Sequence, residues 1–249
     1  MTSPRSCAAA SGLHTAPGGA VYLAPEPQPE GARVWFFTRR GGVSAPPYAS
    51  LNVSRAVGDD EEAVAQNLRL VSRALGDAPR AWAAQVAGDT VVEVSEGGFA
   101  GEADALVSRE RGLALTVTVA DCVPVVLVGE EQVAIVHSGW RGTLAGISGK
   151  TVRSMRSRPR LAYIGPCIRR CCYEVSPGLA GRFAEKFGEE VVTGRMLSLP
   201  EAIRRDLEDA GVEDVYDLGV CTGCTPELFF SNRKEKPKTG RNLAAVMRL

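Results

Sequence analysis

The sequence predicts a single α/β domain of layered mixed β-sheets flanked by helices. Three observations carry that prediction. The central third holds short apolar, β-branched runs at 113–119, 123–128 and 133–136, separated only by Asp-Cys or by Gly-Glu-Glu-Gln. Runs of that kind suit strands covered on both faces. Helix-period segments then alternate with further strand segments towards the C-terminus, as in α/β folds. The third observation is size: 249 residues, 45% of them apolar, can bury a substantial core. No repeat or linker divides the chain.

In order, residues 1–18 are rich in Ala, Ser, Pro and Gly and read as a flexible tail, leaving 19–249 as the domain. Residues 20–24 are a strand candidate, followed by a Pro/Glu-rich turn and a stronger strand at 34–38. "RRGGVSAPPYASLN" (39–52) has too much Gly and Pro for helix or strand and reads as a long ordered loop. Asp59 and Asp60 offer an N-cap for a helix to about Leu75, with apolar positions at Ala63, Leu68, Val71 and Leu75. After the central strands, 143–155 has helical character, with its first turn opening from Gly139 to Gly142. Residues 161–164 are a strand, 177–187 and 200–210 helices, and 215–220 and 243–248 the closing strands.

Charge narrows the function classes. Lys plus Arg and Asp plus Glu both number 29, which gives no basic face for nucleic acid and no polybasic membrane anchor. The run from Arg233 to Lys238 reads as a solvated loop. The longest apolar stretch, 113–128, is broken by Asp121 and Pro124 and is too short to cross a bilayer. The first residues lack the apolar core of a secretion signal. A cytoplasmic location is therefore expected, and seven cysteines, an odd number, fit reduced thiols there.

One of only two histidines, His137, ends an apolar run and enters the turn Ser-Gly-Trp-Arg-Gly. Strand ends of this kind are where open α/β sheets place ligands, and Arg141 adds a guanidinium. Cys122 interrupts "TVTVADCVPVVLV" beside Asp121 and lies on a neighbouring strand candidate. A thiolate and an imidazole brought together suit zinc, or a nucleophile–base pair. A rival metal site lies in Cys221-Thr-Gly-Cys224, which two of Cys167, Cys171 and Cys172 would complete. Ordinary reduced thiols are the simpler reading there.

Several blocks follow in a characteristic order: "TRRGGVSAPPYASLN", "GDDEEAVAQNLRLV", "WAAQVAG", "EADALVSRERGLALTVTVADCVPVVL", "VAIVHSGWRGTLAGI", "IGPCIRRCCYEV" and "FFSNRKEKPKTGR". Together, over roughly residues 20–249, they resemble the YfiH-like proteins. These are also called multicopper polyphenol oxidase, or laccase-domain, purine nucleoside phosphorylases, and the human protein FAMIN is a relative. The resemblance implies the YfiH-like fold, a cysteine-hydrolase-type architecture. It also implies a zinc centre with three protein ligands: a histidine in a "QVHG" block, the cysteine of "ADC" and the histidine of "HxGWRG". The last two map onto Cys122 and His137. The first falls in "QVAG", where this chain has Ala87, either by natural divergence or by a His→Ala substitution.

The chemistry so implied is phosphorolysis of purine nucleosides (adenosine, inosine, guanosine, methylthioadenosine) and deamination of adenosine, impaired here by Ala87. Zinc-bound water suits the deamination, and phosphorolysis needs donors for phosphate. Arg39, Arg141 and the amides at Gly139–Gly142 are candidates for anion binding. Asn52 is a candidate substrate donor, and Asp121 a base or a group orienting a ligand. Two other readings stay open. One is an amidase that edits peptidoglycan precursors, acting on the muramyl nucleotide UDP-MurNAc-L-Ser. The other is a metal-poor protein that binds a nucleoside or nucleotide without turnover. A multicopper oxidase needs on the order of ten histidines for its copper centres, and two argue against it. A single copper at Cys122 and His137 is the lesser alternative to zinc.

Overall fold

The computed structural model describes residues 7–8, 11–235 and 238–249. In chain order the elements are β1 (Cys7–Ala8), β2 (Ser11–Thr15), β3 (Val21–Pro25), β4 (Ala32–Phe37), α1 (Glu61–Ala74), β5 (Arg80–Ala84), β6 (Val91–Glu93), β7 (Gly98–Glu102), β8 (Ala105–Ser108), β9 (Ala114–Val119), β10 (Val123–Val128) and β11 (Val133–Ser138). There follow α2 (Trp140–Ala145), α3 (Ile147–Ser154), β12 (Leu161–Ile164), α4 (Pro177–Phe187), β13 (Val192–Thr193), β14 (Met196–Leu197), α5 (Leu199–Asp209), β15 (Asp214–Asp217), α6 (Asn232–Glu235) and β16 (Asn242–Arg248). They form one α/β domain with two mixed seven-stranded sheets. The first sheet runs β1-β15-β12-β10-β11-β8-β6 and the second β2-β3-β4-β16-β9-β5-β7.

Side-chain alternation explains the stacking. On β10, Val125 and Leu127 point towards α3, α4 and α5, where they meet Ile147, Phe183 and Ile203. Val126 and Val128 point the other way, to Phe36, Leu115 and Val246 of the second sheet. That sheet repeats the pattern, with Val34 and Phe36 of β4 facing inward, and Trp35 and Phe37 facing Val71 and Leu75 beside α1. The layers are thus helices, first sheet, second sheet, α1. Strands buried on both faces have no polar side, which is why the sequence shows continuous apolar runs there.

Three expectations changed. Sheet structure begins inside the segment expected to be a tail, where β1 pairs parallel with β15 and β2 antiparallel with β3. The single helix expected over 143–155 is two, α2 and α3, parted at Gly146 with φ 76°. A left-handed residue cannot continue a right-handed helix, and glycine adopts that conformation without penalty. Strands β5–β8 were not foreseen, being three to five residues long, with β7 interrupted by Gly98 and Gly101. No helix among the described residues is long and apolar enough to cross a membrane.

The chain passes from the second sheet to the first three times: at 85–90, between β5 and β6; at 103–104, between β7 and β8; and at 120–122, between β9 and β10. The loop at 39–52 is held from α1. Asp60 caps that helix by accepting the Ala63 N–H at 2.8 Å. One turn on, the buried Asn67 accepts the Val43 N–H and donates to the Ser44 hydroxyl and to the Ser50 and Asn52 carbonyls. An Asn67→Ala substitution leaves those groups unpaired in the interior. It is expected to lower stability by about 2–4 kcal/mol, measured by urea unfolding; a change within error would show that water replaces the amide.

Candidate active site and a cysteine cluster

Cys122 sits in the crossing between β9 and β10, immediately before β10. Antiparallel pairing of β10 with β11 places His137 opposite Pro124, two residues from the cysteine. The thiol stands near enough to the imidazole to favour its charged form. Gly139 makes room for the sulfur, since a Cβ there would lie 3.0 Å from Cys122 Sγ.

The partner of the histidine is Asp104, at the crossing between β7 and β8. His137 Nδ1 lies 2.7 Å from Asp104 Oδ1, and the His137 N–H donates to the Asp104 carbonyl at 2.7 Å. The same carboxylate accepts the backbone N–H groups of Ala87 at 3.1 Å and Gly88 at 2.7 Å. Its side chain is fully buried. Burial works against its charge, but the His137 bond and the Gly88 amide outweigh it and hold the carboxyl below the usual range. Burial likewise works against a charged His137, yet the bond to Asp104 and the nearby Cys122 thiol push the ring up to about 9. Asp104 was missed in the sequence; an acid ahead of a short strand gives no local signal.

The 85–88 loop is anchored from the second sheet by Gln85, which donates to the Thr118 carbonyl and accepts the Thr118 N–H, both at 2.8 Å. Ala87, at φ 57°, is in the left-handed region. Its N–H and the His137 ring thus share one carboxylate oxygen, so position 87 lies beside the histidine. There it contributes a methyl group. His14 cannot stand in, because on β2 its ring pairs with Glu26 at 3.1 Å and stacks on Tyr22. Cys122 and His137 therefore offer two protein donors where a catalytic zinc uses three. The donor set does not fit a resident catalytic zinc in this chain.

A cavity of about 220 Å³ opens beside Cys122, lined also by Asp121, Trp140, Ile168, Tyr173, Leu199 and Arg233. Arg141 is exposed and stacks on Trp140 at 4.3 Å, and Arg233 lies over Tyr173 at 5.1 Å. Arg241 is near enough for Cys122 and Asp121 to act on its charge, although burial lowers it. Arg233 was missed as an anion-binding candidate because its run, Arg233 to Lys238, read as a solvated loop, and Arg241 carried no signal of its own.

Other expected residues have structural duties. Arg39 pairs with Glu235 at 2.6 Å, donates to the Ala49 and Pro226 carbonyls and stacks on Phe230. Its guanidinium is engaged and not free for an anion. Asn52 is fully buried and cannot touch a ligand; it bonds Asp59 and Ser54, and accepts the Arg241 N–H at 2.9 Å. It positions Arg241. Asp121 lines the cavity, but its two oxygens accept the Thr222 hydroxyl at 2.7 Å and the Arg233 N–H at 2.6 Å. An acid so bonded shapes the wall and is not a free base. The amides at Gly139–Gly142 start a helix of only six residues, which carries little dipole.

The rival site takes a definite form. Cys171, Cys172, Cys221 and Cys224 bring their sulfurs within 4.8 Å of one another, a group capable of chelating a metal ion. Among the described residues no other three such donors converge. Cys167 stands apart, fully buried, and burial pushes its thiol far up.

The family model described as multi-copper polyphenol oxidoreductase laccase matches residues 33–249. The chain belongs to this family. Among curated relatives, a purine nucleoside phosphorylase of Deinococcus radiodurans is 39% identical over 93% of this chain and 94% of its own. The purine nucleoside phosphorylase YfiH of Escherichia coli is 34% identical over 86% and 93%. The crystal structure of YlmD from Geobacillus stearothermophilus superposes with a TM-score of 0.85 at 32% identity, covering 94% of this chain and 97% of that one. A Neisseria meningitidis family member superposes at 0.82 with 31% identity, covering 92% and 98%.

In chelator-treated protein, His137 contributes stability with a definite sign. Its folded value of about 9 lies above its ordinary 6.5. The contribution is therefore complete below pH 6.5 and is lost as pH rises through about 9. Urea unfolding is expected to show a loss on the order of 2–3 kcal/mol across that window. Asp104→Asn, which removes the charge that holds the imidazolium, should flatten the curve. An unchanged slope in the variant would dissociate the pair.

Proposed function

We propose that the cleft beside Cys122 and His137 binds a purine nucleoside and phosphate, and that the chain is a phosphorylase-type enzyme whose metal-dependent turnover is curtailed at position 87. The observation that carries this reading is the coincidence of Cys122 and His137 with a loop whose backbone is set beside them but whose side chain, Ala87, holds no donor. The curated relatives named as purine nucleoside phosphorylases support the substrate class. Zinc would be the metal and deamination of adenosine a companion activity in a chain with all three ligands.

The chain's own residues supply the rest. Arg141, Arg233 and Arg241 offer positive charge for phosphate, and Trp140 and Tyr173 offer aromatic faces to a purine. In phosphorolysis a phosphate oxygen bonds to the sugar C1′ as the C1′–N9 bond breaks, and the departing base takes the bonding pair and needs a proton. His137, held protonated by Asp104, can give one.

A second reading is favoured by one observation: Cys122, His137 and Asp104 form a thiol–imidazole–carboxylate line. Such a line suits a nucleophile, its base and the group orienting the base, hence amide cleavage of a muramyl nucleotide.

Phosphate-dependent release of hypoxanthine from inosine tests the first reading. The chain as it stands should be slow, and Ala87→His should gain a metal equivalent and at least about tenfold in rate. A variant that loads the metal and still releases no base would sink it. Cleavage of UDP-MurNAc-L-Ser, abolished by alkylating Cys122, would install the second.

A further inference from the structure

The four-cysteine cluster lies outside the chemistry just described. Three sulfur pairs, Cys171 with Cys221, Cys171 with Cys224 and Cys172 with Cys224, each approach to 3.4 Å. Cys171 and Cys224 thus each face two sulfurs at equal distance. A disulfide joins each sulfur to one partner only, so pairing does not explain a branched group. A tetrahedral ion with metal–sulfur bonds of about 2.3 Å holds its ligand sulfurs about 3.8 Å apart, inside the observed 3.4–4.8 Å range. A four-iron cluster binds each cysteine to a different iron and a two-iron cluster binds two to each, so either spreads its four sulfurs wider than one ion does.

The backbone is built for this approach. Cys221 and Cys224 stand at the two ends of a turn in which the Cys224 and Thr225 N–H groups donate to the Cys221 carbonyl. Cys171 and Cys172 come from a second turn, closed by the Cys172 N–H on the Arg169 carbonyl at 2.8 Å. The turns pack so closely that a Cβ at Gly223 would lie 3.0 Å from Cys172 Cβ and 3.1 Å from its sulfur. Arg169, beside them, is locked by two bonds to Asp217 at 2.8 and 2.7 Å.

We propose that Cys171, Cys172, Cys221 and Cys224 together hold one zinc ion as a four-thiolate structural site. Four sulfur–zinc bonds form as the thiols give up their protons to solvent, with no change in oxidation state. The site clips together two segments of the cleft wall. One runs from Cys167 to Tyr173 and carries Ile168 and Tyr173; the other carries Thr222, whose hydroxyl holds Asp121. Its effect on the reaction is therefore through the wall, not through the reacting atoms.

The test is metal content of the full chain purified under reducing conditions and dialysed. About one equivalent of zinc is expected, retained in Cys122→Ser and lost in Cys171→Ser and in Cys224→Ser, whose side chains are exposed enough for serine to fit. Cobalt exchanged into the unmodified chain should give thiolate-to-cobalt charge-transfer bands and the intense visible bands of a tetrahedral site, a readout that needs no variant to fold. Zinc that persists in Cys224→Ser, zinc lost in Cys122→Ser alone, or a metal-free protein whose intact mass shows a bond between two of the four cysteines would each overturn the proposal.

Discussion

Asp104 is a buried negative charge whose two oxygens meet three donors: the His137 ring and the Ala87 and Gly88 amides. Those donors come from the 85–90 crossing and from the end of β11, and Asp104 itself stands in the 103–104 crossing. A carboxylate without them would not stay ionised in that interior, and without the carboxylate the 85–88 loop would have two unpaired amides. The Gln85 ladder to Thr118 ties the same loop to β9, the strand that leads into Cys122. One charge thus sets the distance between the thiol, the imidazole and position 87. The cleft belongs to the seam between the sheets and not to either sheet alone.

Much of the layering was legible because it rests on local pattern. The apolar runs that became β9, β10 and β11 are continuous because both faces are buried, and Asp60 capped α1 where its side chain predicted. The short strands β5–β8 were not legible, since three to five residues with interrupting glycines carry no periodicity. The pair of Cys122 and His137 was read from strand ends. Asp104, Arg233 and Arg241 were invisible because nothing near them in sequence marks the contacts that matter. Their roles come from crossings and from a C-terminal loop that returns to the cleft. Arg39 and Asn52 show the converse error: polar residues in a Gly-rich loop look available for a ligand until the loop's own carbonyls and carboxylates are placed around them.

Two non-glycine residues flank the reactive pair in the left-handed region, Ala87 at φ 57° and Asp121 at φ 85°. Aspartate tolerates that conformation better than alanine, for which it costs roughly 1–2 kcal/mol. Each is held from outside. Asp121 is fixed by Thr222, by the Arg233 amide and by its own carbonyl, which accepts the Ile168 N–H at 2.9 Å. Ala87 is fixed through its amide and that of Gly88. Neither anchor uses the side chain at position 87. The loop's anchors therefore do not depend on that side chain, and histidine is among the residues that adopt this conformation more readily than most. Substitution at 87 is thus able to change the number of donors beside Cys122 and His137 while leaving the backbone that presents them intact. The physical separation of loop geometry from the side chain at 87 lets that side chain change while the backbone beside the pair stays in place.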